Sequence, residues 1–381
     1  MNKLDTLEHL INNINMKNIN IKIIKENTNY LIRVHEILQK IWITLDKKIE
    51  YIKISNHGED EKDYKMIYNK ISNSTLMNYN KFSDFLRKHE KIIKLEYDNV
   101  KFYYFYNDQN DINRDMDKII KMLKITVCLN KFYIKNDKVT RTIIWIPVPT
   151  NRDFEYKEIN KNTLTTSYNK FEAFTVSGIT FNDNPRYTII TRYEEIEKLL
   201  LHELIHNFNM DGSNYHNELT DIINNYDKIK NKNKSQIINY NYEYSIYESY
   251  SELAGTYLLL LFKYINYDKK KLEDKIMSSI IMELIYSYNT IVNLAKLNNY
   301  RNWDEFIRNE SFYGEICVYE YYYIKGLMYN NFKFKFYNKN NKFRKMYNRI
   351  IEIMKSTNNN ELLKDIFNKS IKQNNYKYII N

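Results

Sequence analysis

The sequence predicts an α+β protein, mainly helical, with a small mixed sheet near its middle. Three observations carry that expectation. Apolar residues recur at helical spacing towards both ends of the chain, as in Leu31, Val34, Leu38, Ile41 and Leu45. Between about 140 and 190 the texture changes to short runs rich in Ile, Thr and Val, bounded by Pro, Gly and Asn. All three prolines of the chain lie between 147 and 185, and Gly178, Gly212 and Gly255 follow closely, although the chain holds only six glycines. In so Gly-poor and Pro-poor a sequence, that clustering marks special backbone geometry between roughly 140 and 260.

Taken in order, residues 1–108 read as a mostly helical region. Lys81 to Leu95 reads as a helix, followed by a strand, VKFYYFY (100–106). A helix is expected from about Asp111 to Thr126. Strands are expected at Thr140 to Val148, Ala173 to Phe181 and Tyr187 to Ile190. Then comes a capping box, Thr191-Arg192-Tyr193-Glu194, with Thr191 at the N-cap and Glu194 reaching back. The helix it opens is expected to end near Met210, with Gly212 in the left-handed position. A second apolar helix spans Ser245 to Phe262. Further helices are expected at Leu272 to Leu297, Phe312 to Met328, Phe343 to Met354 and Glu361 to Lys372. The division expected is 1–108, a core at 109–266, and a helical C-terminal region at 267–381 with a basic end.

Composition excludes several classes of function. No GxGxxG or GxxxxGK[ST] loop can be assembled from the six glycines. Cys128 and Cys317 are the only cysteines, which leaves neither a disulfide framework nor a cysteine zinc cluster. The opening residues lack a signal-peptide pattern, and the longest apolar run, Leu253 to Phe262, is half a membrane span. A soluble, intracellular protein is the expectation. The net charge is +11, and residues 331–381 hold twelve Lys/Arg against Glu352, Glu361 and Asp365. That basic end could lay cations along the phosphates of a nucleic acid. The 37 tyrosines and abundant Asn, Ile and Lys accord with an A/T-rich gene, which gives a competing account of the lysines.

The chemistry sits in His202-Glu203-Leu204-Ile205-His206, an HExxH pattern. Imidazoles at i and i+4 stand one above the other on a helix face, so both can reach one zinc ion. Glu203 projects beside them, where a carboxylate can take a proton from an attacking water. His35-Glu36 and His89-Glu90 repeat the dipeptide but lack the second histidine. The flanks Leu199, Leu200, Leu201, Leu204, Ile205 and Phe208 are apolar all round, so the helix is expected to be buried. Buried imidazoles and a carboxylate need partners to offset desolvation. A third ligand is required. Gly212 occupies the position six residues after His206 where a compact HExxHxxGxxH site would place histidine, and no histidine follows His216. His216, Asp211 or a downstream carboxylate therefore remain. In Ser245 to Phe262 the only charges are Glu248 and Glu252, again i and i+4, an unfavourable pair unless a cation lies near.

HELIH followed by a helix bearing E-x-x-x-E resembles the gluzincin branch of zincin metallopeptidases. The wider stretch, VSGITF, TRYEEIEKLLLHELIHNFNMDGS and YESYSELAG, within about 120–260, is also similar to uncharacterised HExxH proteins of large cytoplasmic DNA viruses. The resemblance implies a zincin-like core at 109–266, a hydrolase acting on a peptide or protein substrate, and a Zn2+ cofactor. It implies Glu203 as the catalytic base, His202, His206 and Glu248 as metal ligands, and Glu252 as a supporting acid or the alternative ligand. A viral origin would place the protein in the host cytoplasm or the virion. It also implies an edge strand above the metal, on which a peptide substrate would lie. Ser177 and Gly178 mark that strand, with Gly178 allowing close approach. The resemblance departs in two respects: the second acid is more often Asp, and the gap from His206 to Glu248 is longer than in the shortest gluzincins.

Overall fold

The computed structural model describes residues 18–48, 53–56, 65, 67–69, 91–133, 139–148, 178–181, 186–193, 195–231, 246–297, 319–337, 340–356 and 361–372. The protein is α+β and mainly helical, with one mixed sheet. It divides into two compact units, residues 38–208 and residues 1–37 with 209–381. Those boundaries differ from 108 and 266.

The unit 38–208 is built on a six-stranded sheet. Its strands are β1 (Lys53–Asn56), β2 (Lys91–Tyr97), β3 (Val100–Tyr106), β4 (Arg141–Val148), β5 (Gly178–Phe181) and β6 (Arg186–Arg192), in the order β1-β2-β3-β4-β6-β5. The β1–β2, β2–β3 and β5–β6 pairs are antiparallel, while β3–β4 and β4–β6 are parallel. A two-residue turn joins β2 to β3, and its first residue, Asp98, takes a left-handed φ of 52°. The parallel β3–β4 step needs a crossover, which α2 (Gln109–Tyr133) supplies.

Successive side chains alternate across the sheet. Tyr103, Phe105, Ile144, Ile146, Tyr187 and Ile189 pack with Ile67 and Ile92 on one face. Tyr104, Trp145 and Ile190 stand in register on the other. With both faces covered, β3 and β4 read as nearly continuous apolar runs. The expectation of a helix at Lys81 to Leu95 is corrected where it can be seen: residues 81–90 lie outside the described residues, and Lys91–Tyr97 is β2. Its KIIKLEY sequence zips onto β3, with Leu95 opposite Phe102 and Ile93 opposite Tyr104, and that pairing prevails over helical spacing. The region 1–108 therefore contributes three strands as well as helix.

The other unit is helical. It contains the first part of α1 (Ile21–Asp46), then α4 (His216–Asn231), α5 (Ile246–Lys263), α6 (Lys269–Leu297), α7 (Lys325–Asn331), α8 (Asn340–Lys355) and α9 (Glu361–Lys372). α3 (Ile196–Asn207) belongs to the sheet unit. A π-helical turn, Tyr319–Ile324, runs into α7. Asn27 serves an extended segment much as a neighbouring strand would: its amide donates to Phe332 O (2.9 Å) and its carbonyl accepts from Phe334 N (2.9 Å). Phe334 then packs against Tyr250 and Tyr257 of α5. Among the described residues no helix is long and apolar enough to cross a membrane.

Candidate metal centre

α3 begins differently from the expected capping box. β6 stays extended through Arg192, which pairs with Val148 and accepts a hydrogen bond from Trp145 Nε1 on its carbonyl (3.1 Å). Thr191 is thus a strand residue and not an N-cap. Glu194 lies outside the described residues, and Glu195 makes the turn at φ 53° with no side-chain cap. The helix ends at Asn207, before the expected Met210. Asn209 (φ 53°) is the first left-handed residue beyond it, ahead of Gly212 (φ 81°). β6 holds the C-terminal end of the helix, since Asn207 Nδ2 donates to Thr188 Oγ1 (3.1 Å) and Arg186 donates to the Asn207 carbonyl.

On this helix His202 is buried and His206 partly so, and their Nε2 atoms are 3.3 Å apart. Two nitrogens bound at about 2.05 Å to a tetrahedral ion would stand about 3.3 Å apart, so the pair fits a zinc ion. Glu203, between them, is buried and held by the sheet's edge. Thr180 Oγ1 lies 2.8 Å from Glu203 Oε2 and 3.0 Å from its carbonyl oxygen. Gly178 opens β5, and a Cβ there would sit 2.8 Å from Glu203 Oε1 and from its Cγ. The glycine thus gives room to the carboxylate itself. Ser177 lies outside the described residues.

α5 carries the expected acids. Glu248 is half-buried, and Glu252, buried, meets Lys325 Nζ at 3.0 Å. Asp211 is fully buried and acts as a clamp: Oδ1 accepts from Ser213 N and Oγ, Oδ2 from Ser251 Oγ (3.3 Å), and its carbonyl from Tyr347. The side chain of His216 lies outside the described residues, although the residue opens α4. Three tyrosines of the helical unit are engaged within it: Tyr250 donates to Lys335 O (2.8 Å), Tyr215 packs on Phe343 and Tyr247 on Tyr347.

Two groups escaped the sequence. Lys325 looked like one lysine among many. Asp115, on α2, is fully buried, accepting from Tyr104 (2.7 Å), Tyr193 (2.8 Å) and Arg114 (2.7 Å). Burial pushes its carboxyl upward most strongly, but the hydrogen bonds from Arg114, Tyr104 and Tyr193 outweigh it and hold the group below its usual value. Tyr193 lies in the turn leading to α3, so Asp115 ties α2 to that turn. In sequence Asp115 stands beside Arg114 and three residues before Lys118, a charge pattern ordinary for a solvated helix face.

The basic end forms α8 and α9. Arg344 there is paired with Asp221 (2.7 Å) and Arg349 with Glu352 (2.8 Å), while Lys342, Lys345 and Lys364 are exposed. Compared with protein-family models, with curated proteins and with solved structures, the chain matches none.

Proposed function

We propose that the protein is a zinc-dependent metallopeptidase of gluzincin type. The observation that carries this reading is the 3.3 Å separation of the His202 and His206 Nε2 atoms, the spacing of two ligands on one tetrahedral ion. The resemblance to the gluzincins supplies Glu248 as the third ligand of that ion. Two imidazoles and a carboxylate suit zinc among the common divalent metals. The chemistry a bound zinc supplies is Lewis acidity, which polarises a scissile carbonyl and lowers the pKa of water.

The rest falls to the chain. Glu203 is buried, and Thr180 and the gap at Gly178 hold its carboxylate against β5, on the helix that carries both histidines. From there it takes the proton of the attacking water and returns it to the leaving amine. A purely structural metal site has no use for a carboxylate so placed, which favours hydrolysis over an inert scaffold. A peptide lying along β5, an edge strand among the described residues, would pair with it through backbone hydrogen bonds. The test is metal content by elemental analysis together with hydrolysis of a peptide library by wild type and Glu203→Gln. One zinc per chain with cleavage only by wild type supports the reading; no zinc after reconstitution rejects it.

A further inference from the structure

Glu248 and Glu252 are one turn apart on the same helix, and the spacing of the sequence leaves them interchangeable as metal ligands. Their surroundings separate them. Glu252 Oε1 lies 3.0 Å from Lys325 Nζ, and Lys325 is 1% exposed. Glu283 Oε2, on α6, is 3.9 Å from the same ammonium. Tyr322 adds its ring face at 5.6 Å. A lysine does not reach such depth by accident. α7 is drawn against α6 at Gly326, where a Cβ would collide with the Tyr288 ring, so any larger residue would force a shift. The π-helical turn Tyr319–Ile324 leads directly into Lys325.

We propose that Lys325 is the positioning residue that selects the metal's carboxylate, holding Glu252 in a buried ion pair so that Glu248 is the ligand. This rests on the metallopeptidase reading above. A buried pair of this kind adds little to net stability, because desolvation offsets most of the attraction, and its best-attested use is to fix one arrangement among alternatives. With Oε1 on the ammonium the Glu252 carboxylate is oriented towards Lys325, and turning it to a metal would strain a charge-assisted hydrogen bond inside a low-dielectric interior. The lysine therefore keeps one glutamate from competing with the other.

The experiment measures zinc affinity by competition with a chromophoric chelator, and the visible spectrum after cobalt substitution, for the full chain and its variants. Glu248→Gln should weaken zinc about 100-fold, and Glu252→Gln about 10-fold, with a cobalt spectrum like that of wild type. Adding Lys325→Met to Glu248→Gln should recover roughly tenfold, because the released Glu252 can take the vacated place. Lys325→Arg should bind zinc as wild type does. A double variant that binds no tighter than Glu248→Gln overturns the proposal, as does a Glu252→Gln variant weaker than Glu248→Gln. If Lys325→Met fails to fold by circular dichroism, the comparison of the two glutamine variants decides, since both keep the lysine. Failure of wild type to take zinc would instead reject the metallopeptidase reading.

Discussion

α3 and α5 start from the same sequence device, two ionisable residues one turn apart in an otherwise apolar helix. They resolve it differently. On α3 the pair turns inward on itself, His202 to His206, while the residue between them is fixed by β5. On α5 the pair parts company: Glu252 joins Lys325, 73 positions away. Like charges cannot share a buried face as two imidazoles can, so each carboxylate needs a cation, and nothing in the spacing says which. The two histidines are thus legible as a pair from the motif alone, whereas the two glutamates are told apart only by a distant residue.

The comparison can be broken or sharpened in order of effect. The largest change should come from His202→Ala/His206→Ala, which removes both convergent nitrogens; elemental analysis should find no stoichiometric zinc. Retained zinc would mean that α3 is not the metal helix. Next, Glu203→Gln should keep the metal and lower kcat by roughly 10²–10⁴-fold, the range for loss of a positioned base; equal loss of zinc would make Glu203 a ligand. Gly178→Ala should come third. The added methyl displaces the Glu203 carboxylate, and a misplacement of about 1 Å can cost on the order of 100-fold in kcat with zinc content unchanged. An unaltered kcat would show that the base does not depend on the edge strand.

The smallest effect should fall on Asp115. Asp115→Asn weakens the ties to Arg114, Tyr104 and Tyr193 and should lower unfolding stability by about 1–3 kcal/mol in a denaturant titration at neutral pH. Because the folded carboxyl titrates below its usual value of about 3.9, the stability it contributes is present above that pH. It is lost as pH falls through the folded value, so wild type and variant should converge in strong acid. A gap that persists there would assign the effect to packing.

Much of this was legible in the residues. TRTIIWIPV and VKFYYFY are strands because both faces of the sheet are covered and continuous apolar runs suit that position. Glu361–Lys372 forms the helix its spacing predicts. The capping box failed because pairing of Arg192 with Val148, a long-range bond, outweighs a local one. KIIKLEY forms a strand because its partner lies just beyond the turn at Asp98, outside the segment whose spacing suggested a helix. Glu248 and Glu252 were visible as a pair, but their division depended on Lys325, whose burial is set by Gly326 against Tyr288. Local chemistry is written locally; the choice between equivalent groups is written far away.

The turn at Asp98 also bears on the order in which the sheet assembles. β2 and β3 meet across two residues, so their ladder closes without bringing distant chain together, and hairpins of this kind form in about 1–10 μs. The parallel steps β3–β4 and β4–β6 must wait for long crossovers, whose closure entropy slows them. α3 follows β6, the strand that completes the parallel set, so the helix of the two histidines is seated near the end of folding. Pulse-labelled hydrogen exchange should protect Phe102 and Tyr104 before Ile189 and Ile190; simultaneous protection would remove the ordering. On this account His202 and His206 reach their seated geometry only once the sheet is whole.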